Sequence, residues 1–132
     1  VSLFEPPEGS AFDRIGGEWA LRTIMDDFVN RCFDDAMIGF MFQRADRRRV
    51  QEMEFQLAAQ LLGGPFRYEG RPLAEAHRPH QIQGGQFERR KFLLEQALRS
   101  HHVPRDIEKL LMDHTDRLRR QVTVDPDSNC SS

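Results

Sequence analysis

Four stretches of the chain repeat apolar residues at helical spacing, and none alternates as a strand would. Over residues 18 to about 34 the apolar positions are Leu21, Ile24, Met25, Phe28 and Cys32, with Val29 at the border, which is one face of a helix. Val50, Met53, Leu57, Ala58 and Leu61 repeat the pattern behind Asp46, whose carboxylate suits an N-cap, and Gly63-Gly64-Pro65 stops that helix. Residues 86 to about 100 put Phe87, Leu94, Ala97 and Leu98 on one stripe. The last helix opens at Pro104 and carries Ile107, Leu110, Leu111, His114, Leu118 and Val122. Between these lie one helical turn at residues 11–15 closed by Gly16-Gly17, a short apolar corner at residues 37–42, and a short helix from Leu73 to His77 ahead of Pro79. The pattern predicts one all-α domain over residues 11–122, with residues 1–10 as a lead-in and residues 123–132 as a flexible polar tail.

Two charged residues interrupt these stripes. Glu54 falls in the middle of the apolar face of the second helix, while Arg47, Arg48, Gln51 and Glu52 are expected to face outward. Arg90 occupies a core-facing position on the third helix. A lone carboxylate in an apolar stripe is costly to bury unless it is paired or protonated, and an opposite charge on a facing helix is the simplest remedy. The pattern leaves two outcomes open, a structural ion pair or a functional pair lining a polar pocket.

Composition narrows the function classes. A chain of 132 residues can bury one core without disulfide or metal staples. With a formal net charge of −2 there is no global basic footprint for nucleic acid. No apolar run is long enough to span a membrane, and the N-terminal residues lack a basic-then-apolar signal, so the expectation is a cytoplasmic protein with neither nucleic acid nor membrane as partner. Cys32 and Cys130 are expected as reduced thiols. Ten Phe against one Tyr and one Trp predict a phenylalanine-lined interior. No nucleophile stands beside a base and no glycine loop suits phosphate, which excludes the common hydrolase and kinase patterns.

The histidines and arginines are the remaining candidates for chemistry. His77 could present an imidazole nitrogen to a metal or simply be a surface residue. With His80 it has the spacing of half a zinc site, but no further ligands complete one. His101 and His102 sit at a helix end and suit capping, and His114 reads as a core residue. Arg44, Arg47, Arg48 and Arg49 are a solvated helix start, or a group able to hold carboxylates or phosphates.

Taken in order, Phe12-Asp13-Arg14-Ile15-Gly16-Gly17, Phe28 ahead of Asp34-Asp35, Phe40-Met41-Phe42, Leu62-Gly63-Gly64-Pro65 with Tyr68 and Gly70, then Ala76-His77 and Phe87, resemble the truncated haemoglobins. The resemblance covers residues 12 to 122 and is nearest to the group with a glycine pair at both inter-helix corners. It implies a two-over-two helical sandwich holding haem b, with iron bound by a proximal histidine. His77 falls at that histidine's position, Phe42 at that of the ring packed on the haem, and Phe28 at a pocket-lining phenylalanine. Tyr68 corresponds to a residue near the propionates, which Arg47 and Arg49 could meet through charge-assisted hydrogen bonds. Val50, Leu57, Leu73, Ile82, Phe87 and Leu94 are the expected remaining walls.

The other side of the iron departs from the family pattern. Val29 stands where a tyrosine usually donates to bound oxygen, and Val50, Met53 and Glu54 stand where glutamine or histidine partners are common. Arg90 replaces a residue that is usually apolar or Trp. The implied function is binding of a diatomic ligand (oxygen or nitric oxide) or a small anion at the haem iron, with oxygen, nitric oxide or peroxide chemistry and a separate reductase as extensions. The alternative makes Met53 a sixth iron ligand, which would raise the reduction potential and suggest a redox sensor, gas sensor or electron-transfer module.

Overall fold

The helix Arg47–Leu61 carries two working faces, and the rest of the chain is arranged around them. The computed structural model describes residues 9–77 and 82–123. In chain order these form α1 (Ala11–Ile15), α2 (Gly17–Phe33), a 3-10 turn (Gly39–Phe42), α3 (Arg47–Leu61), α4 (Leu73–His77), α5 (Gly84–Ser100), α6 (Arg105–Arg117) and α7 (Arg119–Val122). There is no β-sheet among the described residues, only one isolated parallel bridge between Ile82 and Thr123. α2 packs on both α3 and α5, α5 packs on α6, and α4 meets α7. None of these helices is long and apolar enough to cross a membrane.

The termini of these helices follow from local chemistry. Ser10 Oγ accepts from the Asp13 N–H while the Asp13 carboxylate accepts from the Ser10 N–H, a reciprocal cap that starts α1. Gly16, at φ 117°, takes the left-handed conformation that turns α1 into α2. Asp46 caps α3 by accepting from the Arg48 and Arg49 N–H groups at 3.1 and 3.4 Å.

The core lies between α2, α3, α5 and α6. Its fully buried side chains include Leu21, Met25, Phe28 and Val29 of α2, Phe55 of α3, Leu98 of α5 and Ile107 of α6. Each contributes about 1.5–3 kcal/mol by leaving water. Asp35, after α2, is the polar anchor of this core. Its carboxylate accepts from the Met37 and Ile38 N–H groups at 3.0 and 3.1 Å and from Arg89 of α5 at 2.7 Å, with only 6% of the side chain exposed. The Arg89 guanidinium, helped by those two N–H groups, holds the Asp35 carboxyl below the usual carboxylate range against the opposing effect of burial.

Several sequence expectations need correction. The buried face of α3 is Phe55, Ala58 and Ala59, continued by Leu62, and not the stripe through Val50, Met53 and Leu57. Gln51 and Glu52 do not face outward: Gln51 donates to Asn30 and Glu52 accepts from Arg22, both on α2. The third long helix starts at Gly84 and not at residue 86, with Gly84-Gly85 in its first turn. Leu110 is exposed, because Ile107 and Leu111 already fill that face of α6 and Leu110 lies on its flank. The last helix is interrupted at Leu118, which caps α6 and opens α7. His101 closes α5 as expected, and its ring also reaches across to Asp27 of α2 at 2.8 Å. His80, Cys130 and nearly all of the two terminal segments lie outside the described residues.

Two outcomes check this framework. A Cβ on Gly64 would lie 2.5 Å from Phe12 Cδ1, so Gly64→Ala is expected to lower stability by about 1–3 kcal/mol, read as a reduced urea midpoint at unchanged m-value. Because the carboxyl of Asp35 is held low in the folded state, its contribution is present above the ordinary carboxylate range and lost as pH falls through the folded value. Asp35→Asn should therefore lower stability near neutral pH and flatten the acid limb of the stability curve, measured by thermal melts between pH 7 and pH 3.

Candidate functional site

The second face of α3 opens onto space. Three adjoining cavities, of about 60, 270 and 170 Å³, lie between α3, α4 and α5. Glu54 lines all three, Leu57 and Leu73 line the first two, Val50 and Ala76 the last two, and Arg90 the first and the third. Together they form one interrupted slot, with α3 and α5 on one side and the Leu73 and Ala76 positions of α4 on the other. Phe87, Leu94 and Leu111 close its inner end with His114, and Phe42, Ile38 and Ile82 line its far end.

A single ion pair sits where the cavities meet. Arg90 Nη2 donates to Glu54 Oε1 at 2.7 Å, with 28% and 23% of the two side chains exposed. The guanidinium lies 4.9 Å over the Phe28 ring, a cation–π contact from the α2 side. Burial is the largest influence on Arg90 and opposes its charge, but the charge of Glu54, the Cys32 sulfur and the hydrogen bond to Glu54 together outweigh it and raise the pKa above the ordinary arginine value. Beneath the pair, burial pushes the Cys32 thiol up to about 12, so it stays neutral although Arg90 favours the thiolate. His114 titrates below the ordinary histidine range, from burial first and then from repulsion by Arg117. Where the cavities meet, the positive charge is therefore carried by Arg90 and held by Glu54.

The loop after α3 forms the rim. Tyr68 and Glu69 donate their backbone N–H groups to Gln60 Oε1 at 2.7 Å and Gln56 Oε1 at 2.9 Å, which pins the loop to α3. The Tyr68 hydroxyl donates to the Arg71 carbonyl at 2.7 Å. Burial, followed by the charge of Glu54, raises the Tyr68 pKa. A Cβ on Gly70 would lie 2.8 Å from Met53 Sδ, so the thioether packs against this loop.

Most of the residues expected from the sequence line the slot. Val50, Met53, Glu54, Leu57, Tyr68, Leu73, Phe87, Leu94, Arg90, Phe42, Ile82 and Arg49 all do. Phe28 and Val29 are buried behind the pair. Arg47 belongs elsewhere: it bonds Asn30 at 3.0 Å and Asp34 at 3.3 Å and stacks 4.6 Å over Phe33, turned to α2 and away from the cavity lining. His77 closes α4, and its side chain lies outside the described residues. Sequence reasoning did not single out Arg71, Ala76 or Gln86 as lining residues, and it assigned His114 to the core. Only His114 carried a usable signal, a titratable group on an apolar stripe.

Comparison with known proteins places this architecture. The sequence model of the bacterial-like globins matches residues 10–124. A group 1 truncated hemoglobin of Mycolicibacterium paratuberculosis is 32% identical over 73 residues, covering 55% of this chain and 54% of that protein. One from Nostoc is 23% identical over 111 residues, covering 84% of this chain and 94% of that protein. The matches to the Mycolicibacterium protein and to group 1 truncated hemoglobins of Tetrahymena thermophila and Tetrahymena pyriformis span only 54%, 65% and 64% of those relatives. Among solved structures, the truncated hemoglobin of Tetrahymena pyriformis superposes with a TM-score of 0.79 at 21% identity, covering 87% of this chain and 98% of that one. The group II truncated hemoglobin of Bacillus anthracis gives 0.78 at 24%, covering 89% and 99%. These structural likenesses establish the two-over-two fold.

The slot fits the cofactor of that fold. Its walls are apolar on both sides (Val50, Leu57, Leu73, Phe87 and Leu94), which suits a flat macrocycle. Each cavity alone is smaller than an organic-ligand pocket of about 300–1,000 Å³, and only taken together do the three reach that scale. Arg49 and Arg71, both exposed at the rim of the second cavity, could hold two carboxylates of a ligand whose body is buried. A matched core, a slot of this chemistry and a family match over nearly the whole length lead to one assignment: the chain belongs to the bacterial-like globin family and is a haem-binding globin of the truncated kind, with haem b as its cofactor.

Proposed function

We propose that the haem iron is held by His77 and binds a diatomic ligand or small anion on the side occupied by Glu54 and Arg90. The observation that carries this reading is the position of α4: His77 ends the helix whose Leu73 and Ala76 line the slot together with Glu54. When bound, the haem supplies an iron that coordinates the ligand. The protein supplies orientation and electrostatics. Val29 offers no donor, and an ionised Glu54 can only accept hydrogen bonds, so Arg90 is the strong donor on that side. A pocket with a single donor already engaged by Glu54 would hold oxygen weakly. We assign its re-reduction to a separate reductase. The buried free thiol of Cys32 suits a reducing compartment such as the cytoplasm.

The reading with Met53 as sixth ligand, for redox sensing or electron transfer, is less well supported, because its sulfur packs beside Gly70 on the rim loop. Three outcomes test the assignment. The purified protein should show a strong Soret band that His77→Ala abolishes or scrambles; an unaltered spectrum in that variant would place the iron ligand elsewhere. The ferrous oxygen complex should lose oxygen or autoxidise within seconds to minutes, followed by stopped-flow absorbance, and a slow off-rate would count against the open pocket. Met53→Ala should leave the spectrum unchanged, whereas loss of a six-coordinate low-spin spectrum would establish thioether ligation.

A further inference from the structure

We infer that Glu54 is a built-in competitor for Arg90, which makes the pocket an anion receptor whose affinity for small monoanions is set by displacement of Glu54. This rests on the reading of His77 and the Glu54–Arg90 side given above. Arg90 lines the slot both at its inner end, beside His114, and at its far end, beside Phe42 and Gln86. A guanidinium carries several N–H donors, and among the described residues Arg90 makes one hydrogen bond, through Nη2 to Glu54. No side-chain nitrogen or oxygen is buried without a partner among the described residues, so the other donors remain accessible from the cavities.

Among the described residues the surroundings leave Arg90 with no other anion to hold. Below the pair, Phe28 presents a ring face and Cys32 a neutral thiol. Leu94 and Phe87 flank it along α5, and His114 faces it from α6. On the α3 side, among the described residues, Glu54 is the one carboxylate that lines all three cavities, Asp46 lining the second alone. A ligand with one negative charge can replace that carboxylate on the guanidinium, because it offers the same charge-assisted hydrogen bond. The pair is partly solvated, so Glu54 loses little on release. Carbon monoxide, which stays nearly neutral when bound, gains little from the exchange. Arg90 thus favours anions over carbon monoxide, and Glu54 tunes how strongly.

The test uses the ferric holoprotein titrated with sodium azide and the ferrous protein titrated with carbon monoxide, both read from the Soret band. Glu54→Gln keeps the shape and removes the competing charge; azide affinity should rise about tenfold or more, the scale of one hydrogen bond to a charged group. The double variant Glu54→Gln/Arg90→Leu leaves no uncompensated charge in the pocket, and azide affinity should fall to about a tenth of the Glu54→Gln value or below. Carbon monoxide affinity should stay within about threefold across the series, as expected for a ligand that makes no charge-assisted hydrogen bond with either group. Equal azide affinity in wild type and Glu54→Gln, or an unchanged affinity in the double variant, overturns the proposal while leaving the haem assignment intact. If every variant holds haem with a normal Soret band but none takes up azide, the reading of an open iron facing this pair fails, and the proposal fails with it.

Discussion

The structure depends on α3 satisfying two neighbours at once. Phe55, Ala58, Ala59 and the following Leu62 pack into the core, while Val50, Met53, Glu54 and Leu57 face the slot. A helix with a single apolar stripe could do one of these tasks. Here the apolar arc is widened, and its flank toward α2 is polar but paired, through Gln51 with Asn30 and Glu52 with Arg22. Arg22 in turn lies 3.9 Å over the Phe55 ring, so the ion pair and the core side chain support each other. The helix is fixed by its α2 face, and that fixity is what keeps the slot face in place.

Much of this was legible in the sequence, and the misreadings have a common cause. The apolar periodicity located every long helix, because burial against a neighbour demands it. On α3, however, two arcs overlap. Residues lining a cofactor slot are as apolar as residues filling a core, so periodicity alone selected Val50, Met53 and Leu57 and passed over Phe55. The pairing of Glu54 with Arg90 was foreseeable, since each charge was unexplained without the other. The fate of Arg47 was not. Its distance along the chain from Asn30 and Asp34 conceals that the turn after α2 brings them together. Arg71 was equally hidden, because a loop residue has no periodicity and its position depends on Gln56 and Gln60 pinning the backbone nearby.

The rim loop shows how a segment without regular structure is held to a geometry. Two glutamine side chains on α3 accept from consecutive backbone N–H groups, and the Tyr68 hydroxyl closes the turn on the Arg71 carbonyl. Gly70 has no room for a side chain between Tyr68 and the Met53 sulfur. The tyrosine is thereby committed to the loop, with its hydroxyl turned to the backbone, and the arginines on either side are left exposed at the rim. Charge is thus kept at the edge of the slot, where water can solvate it before a carboxylate arrives.

Inside the slot the same economy takes a different form. A lone guanidinium above Phe28 would be costly, and a lone carboxylate more so. Together they are tolerable, because each satisfies the other and neither is fully removed from water. The thiol beneath stays protonated, and His114 is held toward its neutral form by burial and by the positive charge of Arg117. The neighbours are therefore arranged so that no second positive charge builds up beside Arg90 and no thiolate competes for it. What remains among the described residues is one cation and one anion at the junction of three cavities, with apolar walls beside them and the remaining charges at the rim. In such a setting the partner chosen by Arg90 decides the electrostatic field felt by anything bound in the slot, and among the described residues Glu54 is the group that can change that choice without refolding the helices around it.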